Sequence, residues 1–447
     1  MDQPLHTKSP IRWYILALLM ALCFISHFNR ASMASAGDER IMKQFAISTT
    51  SMGKVYSAFL IVYTVFMVPG GLFIDRFGPR LALALMGLGT AFFCAFTGAI
   101  GWGFIAASQV WFSLMVIRSL MGLFTTPLHP ASARAASNWF PEPQRALANG
   151  LITGAALLAY ALVHPLFGAL IDRVDWPVAF LITGSITALL ACVWFAYAKD
   201  FPWQHRSVTA SETVADSVNS FDHQLGERPA PVVENTGPPA VTFGRLLRDR
   251  NLILLTLSYG AVGYFQYLFF YWLHYYFDTV LHLGKSESRL YTMLPSLAMT
   301  VGMPLGGWLT DKARISLSHR SGRTLVPKVG MIVSAALLTL GVFSKETFWV
   351  VFLFTLSLGV LGLSESAFWT TAVELGGRRG GTGAAIMNTG GNGIGLLAPV
   401  VTPAISAALG WTWGIGLGAL VGLLGAMCWW WIDTDKHAER TGEDNLN

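Results

Sequence analysis

The sequence contains little charge. Only 12% of its 447 residues are Asp, Glu, Lys or Arg, whereas 53% are hydrophobic. A soluble protein of this length needs more charge to cover its surface, so the composition excludes the soluble class and predicts a membrane protein. The formal net charge of +5 lies mostly in predicted cytoplasmic loops and tails. It therefore reflects membrane topology and gives no support to a nucleic-acid partner.

The sequence also has few cysteines and none of the motifs of common enzyme sites. Cys23, Cys94, Cys192 and Cys428 fall in predicted spans at unrelated spacings, which argues against a disulfide framework or zinc site and favours packing roles. The chain carries no Walker loop, nucleophile–base set or metal-ligand spacing. We therefore expect no enzyme activity, no metal and no cofactor.

Long apolar runs dominate the chain. Each is about 20 residues long, which is the length that crosses a bilayer as a helix. We predict an all-α membrane protein whose 12 transmembrane helices form two pseudo-symmetric six-helix bundles. The predicted spans are residues 12–34, 52–74, 81–104, 107–130, 146–171, 176–198, 251–278, 288–310, 327–344, 348–372, 382–408 and 411–433.

Two features recur about half a chain length apart. The run from Gly70 to Arg76 returns as Gly306 to Lys312, each time with paired glycines followed by Asp and a basic residue. Trp176 and Trp411, which open the sixth and twelfth predicted spans, recur at nearly the same offset. Such repetition is typical of a duplicated membrane transporter.

The distribution of basic residues predicts the topology. Lys and Arg are concentrated on the side that carries both termini, so the positive-inside rule places the termini in the cytoplasm. We expect a multi-pass protein of a cell membrane. The short loops suit a bacterial inner membrane, a placement that rests on the family resemblance given below. The predicted domains are an N-terminal bundle (1–198), a flexible cytoplasmic loop (199–247), a C-terminal bundle (248–435) and a cytoplasmic tail (436–447).

Three charged residues fall at membrane depth: Arg30, Arg118 and Glu365. Charges there are costly and usually face a cavity or a partner. His27 shares a helical face with Arg30, and both arginines offer the forked donors that suit a carboxylate or phosphate. We therefore predict an anion site. The alternatives are a snorkelling Arg30 and a purely structural Glu365.

Polar side chains in the seventh and eleventh spans complete the predicted site. Tyr264, Tyr267 and Tyr271 are spaced to share one side of a helix, where their hydroxyls can contact a substrate. The alternatives are an interfacial aromatic belt for the tyrosines and helix–helix hydrogen bonds for the asparagines. The predicted substrate-binding residues are Arg30, Arg118, His27, Tyr264, Tyr267, Tyr271, Asn388 and Asn392.

The glycine-rich repeat favours a conformational latch over a substrate site. A carboxylate at this position can engage helix ends and basic residues in one state and release them in another. The alternative is that these are solvated loop charges. The predicted latch residues are Gly71, Asp75, Arg76, Gly78, Arg80 and Asp311.

The chain resembles the major facilitator superfamily, because the segment from Gly71 to Arg80 fits the superfamily's pattern for the loop between helices 2 and 3. Within it the chain resembles the anion:cation symporter branch, which contains bacterial transporters for galactonate, glucarate and hexuronates, and animal sialin and vesicular glutamate transporters. The likeness runs from the first to the last predicted helix. It rests on Asn29 to Met33, Arg118 to Pro130, Ser137 to Arg145 and Gly380 to Pro399.

This resemblance implies alternating access between two bundles, with Arg30 and Arg118 in substrate binding and coupling. The chain departs from the family pattern at two positions. An acidic residue usually precedes the first arginine, where this chain has Asn29, and a glutamate usually stands where it has Thr125. Because neither Asn nor Thr titrates, the usual proton sites are missing.

Three explanations remain open for the missing carboxylates. The protein is an uncoupled uniporter or exchanger, it couples to another ion, or its proton site has moved to Glu365, His27, His129 or His164. The candidate coupling positions are Glu365, His129, His164, Asn29 and Thr125.

The sequence thus predicts a transporter of a small organic anion, either a carboxylate or a sugar acid, with a proton or other cation as a possible co-substrate. Its rivals are an organic-phosphate exchanger, an exporter of drug-like or siderophore compounds, and a transporter-like receptor. The seventh span lacks the second substrate arginine expected of the exchanger, and the fifth lacks the dense glycine–proline signature expected of an exporter.

Overall fold

The computed structural model of the chain describes residues 11–140, 142–205, 243–317, 319–376 and 380–433. The predicted tail (436–447) and most of the predicted central loop (199–247) lie outside these residues. The described residues form helices and connecting turns and contain no β-strand. The predicted all-α class is therefore confirmed.

Thirteen long helices build the described part of the chain. Shorter helical turns extend several of them: a π-helix at Gly37–Ile41 and a turn at Met42–Gln44 continue α1, and a π-helix at Tyr276–Val280 continues α7. The helices are α1 (Ile11–Ala36), α2 (Thr49–Val65), α3 (Met67–Ala99), α4 (Ala107–Thr125), α5 (Leu128–Trp139), α6 (Glu142–Tyr197), α7 (Arg250–Tyr275), α8 (Lys285–Ser316), α9 (His319–Phe343), α10 (Thr347–Gly376), α11 (Gly380–Gly395), α12 (Ala398–Leu409) and α13 (Trp411–Cys428).

Nine stretches of the described residues are long and apolar enough to cross a membrane. One of them, Leu147–Tyr197, is 51 residues long and covers all but one residue of each of the fifth and sixth predicted spans. The predicted spans 52–74 and 288–310 are helical, within α2–α3 and α8, but are not among the nine. The predicted count of 12 spans therefore stays a prediction. Large apolar side chains such as Phe104 (80% exposed) and Leu72 (66% exposed) point outward, as expected for a lipid-facing surface.

Left-handed residues mark where long helices turn back. Gly78 (φ 81°, ψ 160°) bends α3 just before Pro79, and Asp175 (φ 63°, ψ 162°) bends α6. The Asp175 side chain accepts a 2.8 Å hydrogen bond from the Trp176 backbone N–H, which satisfies a free donor of the next helical turn. Gly410 (φ 92°, ψ 160°) precedes Trp411 in the same way. The sequence repeat at the two tryptophans is thus a repeat of backbone conformation.

The helices pack as two groups, here called the N-terminal half (residues 11–205) and the C-terminal half (residues 243–433). In the N-terminal half α6 packs along α1 and α3, and in the C-terminal half α10 packs along α8 and α9. The halves meet through α6 with α8, α2 with α12, and α1 with α7. We call the two ends of the molecule the Glu39 end and the Gly78 end.

Candidate functional site

Arg30 lies where the two halves meet. It is 4% exposed, and its guanidinium carbon lies 5.0 Å from the Phe59 ring centre, 5.4 Å from that of Tyr63 and 5.2 Å from that of Tyr267. The first two rings belong to α2 and the third to α7 in the opposite half. Aromatic faces at these distances stabilise a desolvated cation. The side chain is therefore held inside the protein and does not snorkel to the surface.

Arg118 of α4 supports Arg30 from the side. Its Nη2 donates a 2.7 Å hydrogen bond to the backbone carbonyl of Arg30, its Nη1 donates to that of Asn29 at 3.4 Å, and its guanidinium carbon is 5.2 Å from the Phe59 ring. The ring of Phe59 thus contacts both guanidinium groups. This arrangement couples the position of the second arginine to the backbone that carries the first.

The two guanidinium groups have no anionic partner in the described part of the chain. No carboxylate of the described residues forms an ion pair with Arg30 or Arg118, and the Nε of each is buried without a hydrogen-bond acceptor. Unpaired buried charges are costly, and much of that cost is removed when an opposite charge with hydrogen-bond acceptors binds. The site is therefore suited to receive an anion.

A chain of hydrogen bonds runs from Arg30 into the C-terminal half. Arg30 Nη2 donates to the Tyr267 hydroxyl at 2.8 Å, which donates to Asn392 Oδ1 at 2.5 Å. Asn392 Nδ2 in turn donates to the Asn388 carbonyl at 2.9 Å and to its Oδ1 at 3.2 Å. The structure thus brings four predicted site residues from α1, α7 and α11 into one network.

The other predicted tyrosines have different partners. Tyr271 stacks on Tyr56 of α2 with ring centres 4.9 Å apart and lies 6.0 Å from the Tyr267 ring, so it borders the network. The Tyr264 hydroxyl lies 3.2 Å from Thr402 Oγ1 of α12, within the C-terminal half. Tyr267 and Tyr271 therefore share a site that Tyr264 does not join.

His27 and His129 form an imidazole pair beside Arg30. Their Nε2 atoms are 3.2 Å apart, and His27 Nδ1 lies 2.9 Å from the Cys23 carbonyl. Since a carbonyl only accepts, His27 Nδ1 carries the hydrogen, and in the neutral pair His129 donates to His27. Cys23, His27 and His129 place ligand atoms within 4.8 Å of one another, a grouping that cysteine spacing did not reveal.

The candidate coupling positions Asn29 and Thr125 are bonded within the N-terminal half. Asn29 donates a 2.7 Å hydrogen bond to Thr187 Oγ1 of α6. Thr125 donates to the Met121 carbonyl at 2.8 Å and lies 3.2 Å from Thr90 Oγ1. Both side chains are buried, so they occupy sites that would hold a carboxylate in an interior environment.

Glu365 of α10 is surrounded by neutral donors. Its carboxylate accepts hydrogen bonds from the Tyr259 hydroxyl at 2.6 Å and from Gln266 and Trp369 at 3.3 Å each. It is 8% exposed. These donors stabilise the charge without a cation, and the carboxylate stays inside the C-terminal half.

A buried ionic cluster at the Glu39 end was missed by the sequence reasoning. Arg289 of α8 donates from Nε to Glu39 Oε1 at 2.9 Å and from Nη2 to Glu39 Oε2 at 2.5 Å. Its Nη1 also donates to Asp172 Oδ2 at 2.5 Å. One arginine of the C-terminal half thus holds two carboxylates of the N-terminal half, and this end of the molecule is closed.

Two histidines and a third carboxylate complete this cluster. His274 of α7 has Nδ1 at 3.6 Å from Asp38 Oδ2 and Nε2 at 3.5 Å from Glu39 Oε1. His164 of α6 stacks on His274 with ring centres 4.6 Å apart and planes 5° from parallel. Of these, the sequence analysis singled out only His164.

The predicted latch residues that can be described act within the N-terminal half. The Arg80 backbone N–H donates to Asp200 Oδ1 at 2.8 Å, and its guanidinium donates to the Phe195 carbonyl at 3.0 and 2.6 Å. Arg76 is exposed and lies over the Phe77 ring. The side chains of Asp75 and Asp311 lie outside the described residues.

The two predicted latch glycines differ in their surroundings. A Cβ added at Gly78 would contact the Asp200 carboxylate, 2.7 Å from its Oδ1, and the residue has a positive φ. A Cβ added at Gly71 would meet no atom within 4 Å. Only Gly78 is therefore required by the local geometry.

Comparisons with known proteins agree with this architecture. The model of the Major Facilitator Superfamily matches residues 19–399. A crystal structure of a bacterial homologue of the human lysosomal transporter Spinster, inward-facing and unoccupied, superimposes with a TM-score of 0.75 at 14% identity, over 95% of this chain and 97% of that one. The likeness to the Spinster homologue, at this identity, shows a shared fold.

Three sequence relatives are named as transporters of organic anions. A probable sulfoacetate transporter of Cupriavidus necator is 26% identical over 87% of this chain and 86% of its own. A probable galactarate/D-glucarate transporter of Bacillus subtilis is 27% identical (91% and 88%), and a D-galactonate transporter of Escherichia coli is 27% identical (96% and 97%). The predicted resemblance is confirmed, and so is the expectation that the chain is not an enzyme. This chain belongs to the Major Facilitator Superfamily.

Proposed function

We propose that this protein carries a small organic anion, either a carboxylate or a sugar acid, across a membrane by alternating access. The observation that carries the proposal is the buried pair Arg30 and Arg118, which has no carboxylate partner among the described residues. A carboxylate substrate supplies the missing charge. The relatives named for sugar acids and sulfoacetate support the same substrate class.

The groups around the arginines fit a hydroxylated anion. Arg30 provides the positive charge, and Arg118 holds the Arg30 backbone in place by a hydrogen bond to its carbonyl. Tyr267, Asn392 and Asn388 provide donors and acceptors that can exchange their mutual hydrogen bonds for bonds to substrate hydroxyls. Since Tyr267 belongs to the opposite half from Arg30, the substrate and the closure of the halves share the same groups.

Alternating access fits the arrangement of contacts between the halves. At the Glu39 end Arg289, Glu39 and Asp172 bind the halves together, Ser57 donates to the Leu396 carbonyl at 2.7 Å, and α2 approaches α12 at Gly53. Opening this end breaks these contacts while the site at Arg30 stays near the middle. We propose two six-helix bundles, residues 1–198 and 248–435, that rock about this site.

The proposed orientation follows the distribution of basic residues. With both termini in the cytoplasm, the Gly78 end is cytoplasmic and the Glu39 end faces the other side, which we place outside a bacterial inner membrane. The structure is then an inward-facing or occluded state, because its outer end is closed by ionic contacts. Because Asn29 and Thr125 cannot carry a proton, co-transport of a proton would need one of the other candidates, Glu365, His27, His129 or His164.

Thermal unfolding in the presence of candidate ligands tests this function. The purified protein is melted with D-galactonate, D-glucarate, galactarate, sulfoacetate, glucose 6-phosphate or glucose, because a ligand that binds only the folded state stabilises it by about 2.7 kcal/mol at 100 times its Kd. We expect stabilisation by carboxylates that is lost in Arg30→Ala and Arg118→Ala but kept in Arg248→Gln, which removes an exposed arginine. Stabilisation by the phosphate alone, or by the neutral sugar alone, would contradict the proposal.

A further inference from the structure

The cluster at the Glu39 end contains an unbalanced set of buried charges. Asp38 (1% exposed), Glu39 (2%) and His274 (1%) are almost fully enclosed, and Arg289 is 7% exposed. Two ionised carboxylates and one guanidinium leave this buried group with one excess negative charge if His274 is neutral. An uncompensated charge in a low-dielectric interior is costly, so the closed cluster favours one additional proton.

The contacts of His274 also indicate one additional proton in the closed cluster. Its two ring nitrogens face two different carboxylates, Asp38 at 3.6 Å and Glu39 at 3.5 Å. A neutral imidazole has only one N–H, so one of its nitrogens would direct a lone pair at a carboxylate oxygen. A proton on His274, or one on Asp38, removes this repulsion. Asp38 Oδ2 is itself buried without a hydrogen-bond donor.

The surrounding groups limit the site to one proton. His164 lies face to face with His274, and two stacked imidazolium cations would repel each other. Tyr56 donates to Asp38 Oδ1 at 3.4 Å, and Tyr275 also lies beside Asp38. At longer range Asp278 acts on Asp38, and Lys43 and Lys285 act on His274. The remaining neighbours, Asp172, Arg40 and Asp175, form an outer ion-pair set that is more exposed.

We propose that Asp38 and His274, together with Glu39 and Arg289, form a proton-binding site that must be occupied for the Glu39 end to close. Asp38 and Glu39 belong to the N-terminal half, and His274 and Arg289 belong to the C-terminal half. When the halves separate, water solvates each group and the requirement for the extra proton disappears. The closed state therefore binds one proton more than the open state, and lower pH favours closure.

This site gives the chain a titratable group where the family carboxylates are absent. It rests on the proposed function only in that alternating access makes the closing of this end a step of transport. The π-helix Gly37–Ile41 is the local feature that makes it possible, since it keeps α1 helical beyond the predicted end of the first span and buries Asp38 and Glu39. Single π-turns are frequent at functional sites.

Distance measurements between spin labels test the inference without any substrate. Labels are placed at Ser108→Cys and Lys345→Cys, two exposed positions at the Glu39 end of opposite halves, after Cys192→Ser and Cys428→Ser remove the accessible native thiols. Electron–electron dipolar distances are recorded from pH 5 to pH 9 in lipid nanodiscs. A one-proton linkage changes the closed-to-open ratio by at most tenfold per pH unit, and we expect that ratio to fall as pH rises.

The variant Asp38→Asn identifies the site. It removes one negative charge and leaves a cluster that is neutral without an extra proton, so we expect the closed state to persist at pH 9 and the pH dependence to be lost. Glu287→Gln removes an exposed carboxylate of α8 at the same end and should keep the wild-type dependence. A constant ratio in the wild type, or an unchanged slope in Asp38→Asn, would overturn the proposal.

A second variant decides the question if Asp38→Asn does not elute as folded protein. In His274→Gln the proton can reside only on the carboxylates, so we expect closure still to require a proton, with a pH of half-closure no higher than in the wild type, and a closed state that persists at pH 9 would overturn the inference. Failure of the anion site is a separate result, because it appears as missing ligand stabilisation while the distances still respond to pH.

Discussion

Arg30 of α1 donates a 2.8 Å hydrogen bond to the hydroxyl of Tyr267 of α7, across the boundary between the two halves. The same hydroxyl donates a hydrogen bond to Asn392. It therefore connects Arg30 to α11 by two consecutive hydrogen bonds. A substrate that binds Arg30 must compete with or complete this bond. In the proposed function, substrate binding and contact between the halves are thus linked through one pair of side chains.

We expect Arg30→Lys to bind the substrate at least about tenfold more weakly, which corresponds to about 1.4 kcal/mol. Lysine keeps the charge but loses the forked donors and the planar contact with Phe59, Tyr63 and Tyr267. The measurement is ligand binding by calorimetry or thermal shift, with Arg248→Lys as the matched exposed control. Equal substrate affinity in Arg30→Lys and Arg248→Lys would show that Arg30 does not belong to the site.

We expect Tyr267→Phe to weaken substrate binding by about 1 kcal/mol, the usual net value of one hydrogen bond. The ring that packs over Arg30 is kept, and only the hydroxyl between Arg30 and Asn392 is lost. Uptake into liposomes at varied substrate concentration measures the change. Tyr291→Phe is the matched control, because its ring contacts Phe277 outside the site, and a similar loss there would indicate a general effect of removing a phenol.

We expect Arg289→Gln to shift the protein towards opening at the Glu39 end. Removing one partner of a buried ion pair costs about 3–5 kcal/mol because the other charge is left unpaired, and here Glu39 and Asp172 both lose their donor. Ser57→Cys reports the opening, since Ser57 is 3% exposed and bonded across the halves. Its alkylation by a membrane-impermeant maleimide should accelerate at least about tenfold for a shift of 1.4 kcal/mol or more.

The control for the ionic cluster is a substitution of Arg289 that keeps the positive charge. Arg289→Lys retains a cation but cannot bridge Glu39 and Asp172 with three separate N–H groups in fixed positions, so an intermediate alkylation rate is expected. Equal rates in wild type and Arg289→Gln would show that the ionic cluster does not hold this end closed.

We expect Gly78→Ala to lower stability by roughly 1–2 kcal/mol, because a Cβ is unfavourable at positive φ and would contact Asp200. Gly71→Ala, in open space on the same helix, should be neutral or slightly stabilising, since Ala favours a helix over Gly by about 1 kcal/mol. Thermal unfolding of the two variants side by side measures the difference. Equal losses would contradict the distinct roles of these glycines.

The sequence predicted the features that depend on local composition. Apolar runs of membrane length give helices whatever their neighbours are, so the all-α class and most helix positions followed from them. The repeat at Trp176 and Trp411 supported a duplicated chain, and in the structure the residues before the two tryptophans have matching backbone angles. Arg30 and Arg118 stood out because a charge in an apolar run is unusual wherever that run is placed.

Helical spacing along α7 predicted the partners of its tyrosine side chains less well. Tyr264 and Tyr267 are three residues apart and were expected to share one site, yet Tyr264 is bonded to Thr402 and Tyr267 to Arg30 and Asn392. Buried α7 is surrounded by several helices, so neighbouring positions on one side face different partners. Helical spacing fixes the direction of a side chain but not what lies in that direction.

The ionic cluster was decided by tertiary structure alone. The first predicted span ended at residue 34, so Asp38 and Glu39 looked like loop charges, whereas the π-helix carries them on into the protein. Their partners, His274 and Arg289, lie in the other half of the chain. The sequence by itself determined which segments are helical and which charges are out of place in a membrane. Only the packing of the two halves decided which charges meet, because a desolvated ion pair forms between groups that are close in space, however far apart they are in the chain.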